Sequence, residues 1–251
     1  MEKVNSASRL LMLLRKAEDQ NGNQETFKVW SVVFEITEQE KNNMLREITR
    51  CLGLMHDELE SIRKELSLND SDEFECSPIL DVIDKVLAID LLMGAWSSVY
   101  HTLDREVFLC LGYIQQILPD EEELICEEDV NDILSILSSL ENQLNDSQLP
   151  EITKKSIKKQ VENIYKALQS YKIVGVSSIQ EAVNSVVGEI ISNNGVYSEI
   201  KESEEVGLVK KLIITMNSVA AKVERSEKIV TSGAKLVGHG EKTLELLGKF
   251  I

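Results

Sequence analysis

With 251 residues, 43% of them hydrophobic, and only 3 prolines and 12 glycines, the chain can bury a core without disulfides or metals and falls outside the disordered and low-complexity classes. The net charge is −16, and it is unevenly spread: residues 1–150 carry 31 acidic and 12 basic side chains, residues 151–251 carry 12 and 15, and between Leu66 and Pro150 only Lys85 and Arg105 oppose 19 carboxylates. Direct binding to DNA or RNA, which depends on neutralising phosphates, is disfavoured by that balance; apolar runs such as VLAIDLLMGAW are too short for a membrane span and no signal-peptide pattern follows Met1, so the chain reads as cytoplasmic.

Helical periodicity dominates and strand alternation is nearly lacking. SASRLLMLLRKAEDQ places Leu10, Leu13, Leu14 and Ala17 on one face and ends before the turn signal NGN. ETFKVWSVVFEI is rich in β-formers, yet Phe27, Trp30, Val33 and Phe34 keep helical spacing, which predicts a short buried helix. TEQE, Thr37–Glu40, reads as a capping box opening a long helix to about Leu66. SLNDSDEFECSP breaks the pattern, and Pro78 suits the first turn of a new helix. Further helices are expected near 78–100, 104–118, 128–145 and 151–172, punctuated by Pro119 and Pro150. Ser178 and Glu181 read as a second capping box, and NNG, Asn193–Gly195, as a helix stop. The expected fold is all-α: antiparallel multi-helix bundles with a long C-terminal helix. The breaks divide it into an N-terminal subdomain (1–70), an acidic central bundle (71–195) and a C-terminal interaction helix (196–251), or leave one continuous domain.

The C-terminal register is the longest pattern in the chain. Val209, Leu212, Met216, Val219, Val223, Ser226, Val230, Gly233, Val237, Gly240, Leu244, Leu247 and Ile251 alternate three and four apart. Lys228, Lys235, Lys242 and Lys249 recur every seven residues on the opposite side, so these thirteen positions form a seam for a partner helix. The small residues Ser226, Gly233 and Gly240 would let that helix approach closely. GAKLVGHGEKT within it has the glycine step of a phosphate loop, but its flanks are helical and His239, not lysine, follows Gly238, so no nucleotide site is expected.

RCLGLMH, Arg50–His56, resembles the Arg-x(4–6)-His signature of HEPN-type ribonucleases, with Cys51 where that family usually has a polar residue. The resemblance covers seven residues. It implies an all-α dimeric ribonuclease of toxin–antitoxin or antiviral-defence type, with His56 shuttling the 2′-hydroxyl proton and Arg50 stabilising the phosphorane charge.

Neither His56 with Glu60 nor His101 with Asp104 has a local third metal ligand, and DEEELICEED lacks the glycine of a calcium loop, so no metal or cofactor is expected. Cys51, Cys76, Cys110 and Cys126 are scattered without a CxxC pair, the pattern of free thiols in a reducing compartment. Lys154, Lys155, Lys158 and Lys159 follow the acidic region directly, which suggests intramolecular charge complementarity; the sharper alternative is a basic partner protein, or a nucleic-acid-mimicking inhibitory surface. The reading that results is a protein–protein interaction protein, an adaptor, complex subunit or inhibitor. Through the C-terminal helix it would engage a protein partner or a second copy of itself, the alternative being that this helix packs on another helix of its own chain.

Overall fold

The computed structural model describes residues 3–68, 73–193, 196–197, 200 and 202–223. Among these, strand is confined to the two-residue segments Lys3–Val4 and Glu122–Glu123, and the fold is all-α. The chain forms two compact units: an N-terminal unit of Val4–Asp120 joined by Lys172–Val174, and a C-terminal unit whose described residues are 121–171, 175–193, 196–197, 200 and 202–223.

In the N-terminal unit, α1 (Ser6–Glu18) starts at a capping box in which the Asn5 side chain accepts the Ser8 N–H and the Ser8 hydroxyl accepts the Asn5 N–H. The helix packs on α3 (Lys41–Ser67) and α6 (Arg105–Ile117), and α4 (Glu73–Val86) also lies against both α3 and α6. In α3, Ile48, Leu52, Met55, Leu59, Ile62 and Leu66 are buried at three- and four-residue intervals, with Cys51 buried beside Leu52. That stripe gives a helix of this length its stability, since each such side chain contributes about 1.5–3 kcal/mol when fully buried.

The β-forming segment is helical, as its spacing predicts: α2 (Thr26–Val33) buries Phe27, Trp30 and Val33. Trp30 stacks on Phe34 at 5.4 Å and meets Trp96 edge to face at 5.9 Å. Tertiary packing of these rings outweighs the strand propensity of the segment.

Two local expectations are corrected. The capping box at Thr37 does not form; α3 opens at Lys41, and the Glu40 carboxylate caps it by accepting the N–H groups of Asn42 and Asn43. Nor does a single helix fill 78–100. α4 begins before Pro78, and after Val86 the chain passes through a 3₁₀ turn (Ile89–Met93) and the one-turn α5 (Ser97–Tyr100). The physical reason is competition from α2: the Gly94 carbonyl accepts the Thr26 N–H at 2.9 Å and the Gln24 carbonyl accepts the Trp96 N–H at 2.8 Å, which holds the segment open while Trp96 is buried.

In the C-terminal unit, α7 (Glu127–Asp146), α8 (Glu151–Val174), α9 (Ser177–Ser192) and α10 (Glu204–Val223) bury one core. Ile133, Leu137, Leu140 and Leu144 of α7 face Ile157, Val161 and Ile164 of α8, Ile179, Val183 and Ile190 of α9, and the apolar stripe of α10. The expected capping box of Ser178 and Glu181 is replaced. Ser178 lies inside α9 and its hydroxyl donates back to the carbonyls of Gly175 and Ala167. The cap comes from elsewhere in the chain: Glu122, 3% exposed, accepts the Val176 N–H at 2.7 Å. A carboxylate here also meets the positive end of the α9 dipole.

Gly175, between α8 and α9, has φ +73° and ψ −158°, a region open essentially to glycine alone. A Cβ there would lie 2.6 Å from one Glu122 oxygen and nearer still to the other. Gly175→Ala is therefore expected to destabilise the protein by at least about 2 kcal/mol, measured by chemical denaturation, while Gly188→Ala, with open space around it, is expected to be neutral or stabilising.

Candidate functional site

Arg50 and His56 both lie on α3, but six residues of helix separate them by about 9 Å along the axis and about 120° around it. Arg50 Nε donates to Glu47 Oε2 at 2.9 Å, one turn back on the same helix. His56 Nδ1 lies 2.9 Å from Asp84 Oδ1 on α4. Between them Cys51 faces the core, fully buried, and burial pushes its thiol up to about 11. The two candidate catalytic side chains thus engage different carboxylates on different faces and converge on no common point within the chain.

The seam divides at the limit of the described residues. Val209, Leu212, Met216 and Val219 are buried in the core of the C-terminal unit, where α10 packs on α7 and α9, and Val223 is buried beside Val176 and Ala220. This part of the register is satisfied within the chain. Ser226, Val230, Gly233, Val237, Gly240, Leu244, Leu247 and Ile251 lie outside the described residues, as does the whole of GAKLVGHGEKT.

The acidic region and the lysine row do not meet as the simple complementarity account has it. Lys154 pairs with Glu151 and reaches the Ser147 carbonyl at 3.4 Å, and Lys158 reaches Asn145 at 3.5 Å. The carboxylate of Asp129, at the N-terminus of α7, is instead paired with Lys222 of α10, whose hydrogen bond holds Asp129 below its ordinary range. Glu127 and Glu128 share that first turn, where the helix dipole favours negative charge.

Two concave features accompany these residues. A cavity of about 10 Å³ inside the C-terminal unit, lined by Leu140, Gln160, Val161, Tyr197 and Val209, holds at most one water. An open groove of about 630 Å³ runs between the end of α7 and the start of α10, lined by Asp146, Glu202, Glu204 and Glu205, with Gln143 Nε2 donating to Glu204 at 3.0 Å. Among the described residues no group of three or more His, Cys, Asp or Glu is placed to hold a metal ion, and no helix is long and apolar enough to cross a membrane.

The most consequential polar residues are ones that periodicity does not single out. Arg9 has a side chain only 5% exposed. Its Nη2 donates to Glu58 Oε2 at 2.8 Å and to the Ser6 hydroxyl at 3.3 Å, and its Nε donates to the Ile173 carbonyl at 3.0 Å. One signal could have found it: position 9 falls on the stripe of Leu10 and Leu13, and a charge on an apolar stripe demands a buried partner. Glu122 carries no such mark inside its acidic run. Glu35, with φ 55°, sets its carboxylate between Lys16 and Lys172, whose hydrogen bonds hold it below its ordinary value.

No family model, curated protein or solved structure matches this chain.

Glu58→Ala removes a carboxylate partner from the buried Arg9 guanidinium and is expected to cost about 3 kcal/mol in unfolding free energy, whereas Arg9→Met with Glu58→Leu recovers part of that loss. A second expectation concerns pH. Because the folded-state pKa of Glu35 lies below its ordinary value of 4.5, its contribution is complete above that value and is lost as pH falls through the lower, folded one. Denaturation midpoints of the parent and Glu35→Gln should therefore differ at neutral pH and draw together as the pH falls below 4.5.

Proposed function

We propose that the protein works by protein–protein interaction, as an adaptor, a complex subunit or an inhibitor, through helix–helix contacts led by the C-terminal heptad pattern. The observation that supports this most is the burial of Val209, Leu212, Met216, Val219 and Val223. A packed helix sets the phase of the register there, and the same spacing in the sequence continues to Val230, Val237, Leu244 and Ile251. A stripe that stabilises α10 against two neighbouring helices has the composition to take up another helix along its continuation. The occupant is a protein partner or a second copy of the chain, and the helices of each unit, arranged as bundles, are the scaffold that presents it. The place of action under this reading is the cytoplasm.

The ribonuclease alternative would use Arg50 and His56 across a dimer, and each already has a carboxylate partner within its own chain. Wild type and His56→Ala are expected to leave labelled RNA equally intact.

The decisive comparison is between the full-length protein and Val237→Glu with Leu244→Glu, which place charge on the sequence register beyond Val223. Sedimentation should show the mass of self-association or of a reconstituted complex for the parent and its loss in the variant. Unchanged mass together with unchanged partner capture would overturn the proposal. A chain ending at Val223 should behave as the variant does, since it keeps α10 whole.

A further inference from the structure

α2 ends in a turn whose last place glycine usually fills. After Phe34 the chain closes with two hydrogen bonds: the Glu35 N–H donates to the Val32 carbonyl at 3.2 Å, and the Ile36 N–H donates to the Ser31 carbonyl at 2.9 Å. That closure needs a left-handed residue, and Glu35, with φ 55°, is the one non-glycine residue of positive φ among the described residues. A Cβ is disfavoured there, so the reason for a glutamate lies in its side chain. The carboxylate bridges two lysines: Lys16 of α1, whose Nζ donates to Oε1 at 2.8 Å, and Lys172 in the last turn of α8, whose Nζ donates to Oε2.

Lys172–Val174 belongs to the N-terminal unit and is held there in three ways. The Ile173 side chain is 1% exposed among the core residues, the Ile173 carbonyl accepts Arg9 Nε at 3.0 Å, and Lys172 pairs with Glu35. The first two contacts are buried. The third is open to solvent: the side chains of Lys16, Lys172 and Glu35 are 38%, 43% and 54% exposed, so its attraction falls as ionic strength rises.

We propose that Lys172–Val174 is a strap on the N-terminal unit, gated by charge at Glu35: the bridge from Lys16 through Glu35 to Lys172 sets how often the last turn of α8 unravels and lifts Ile173 from its seat. Once released, the strap uncovers that apolar seat beside one Arg9 donor, a surface hidden in the docked state. A glycine at position 35 would make a better turn and a looser strap.

The test is native-state hydrogen exchange of the full-length chain at the amides of Ile173, Val174 and Gly175, with the amides of residues 55–59 in α3 as reference. In the parent the strap amides are expected to exchange faster than the reference and to speed up about two- to fivefold between about 0.05 and 0.5 M salt, the scale of an exposed ion-pair network. Glu35→Gln and Glu35→Gly should both exchange at the high-salt rate whatever the salt, and Glu35→Gly should have the higher denaturation midpoint of the two, because it alone relieves the left-handed turn. Strap amides that exchange together with the reference, that ignore salt, or that are unmoved by loss of the carboxylate would refute the proposal. Equal midpoints for the two variants would remove the strain that singles out Glu35 and sink it as well. The salt series in the parent is decisive even where a variant fails to fold.

Discussion

The N-terminal unit is organised around a guanidinium taken out of water. Burying a charge costs several kcal/mol unless it is paired and its donors are satisfied, and separated parts of the chain arrive together to serve Arg9: Ser6 on its own helix, Glu58 on α3 and the Ile173 carbonyl at the end of α8. The neighbouring helices must then keep their register. A slip of α1 by one residue would leave Glu58 and Ile173 without their donor and carry Leu10 and Leu13 off the core, so polar and apolar demands fix the same arrangement.

The C-terminal unit uses the same physics with the sign reversed. There the buried group is a carboxylate, Glu122, and its partner is a backbone N–H at the start of α9. Gly175 is the accommodation this requires, because a side chain at that position would occupy the space of the carboxylate. The Ile125 N–H, donated to the Tyr171 hydroxyl at 2.8 Å, holds the same stretch against α8. A loop of high acidic content is thereby converted into an anchored one by two long-range hydrogen bonds.

These anchors bear on function by separating what is structural from what is available. Much of the chemistry that stands out in the primary structure is occupied: Arg50 by Glu47, His56 by Asp84, Asp129 by Lys222, and the first part of the seam by α7 and α9. Exposed apolar side chains such as Leu109 and Tyr113, one turn apart on α6, remain on the surface.

The helices themselves were legible in the sequence because three- and four-residue periodicity is a local property: Ile48 to Leu66 and Val209 to Val223 announce their buried faces without reference to anything else. Helix ends were less legible. Glu40 in place of Thr37 is a choice between two adjacent local caps, while the loss of a Ser178 cap to Glu122 depends on a residue 54 positions away. The break after Val86 depends on hydrogen bonds from α2 that no window around Val86 contains. The same distinction holds for the sites. Residue types and spacings nominated Arg50, His56 and the seam, and only the tertiary structure decided that Arg9 has its counter-charge and that Arg50 and His56 diverge. Periodicity encodes which face of a helix is apolar, but pairing between buried polar groups is decided by which helices pack together, and that is a property of the whole chain.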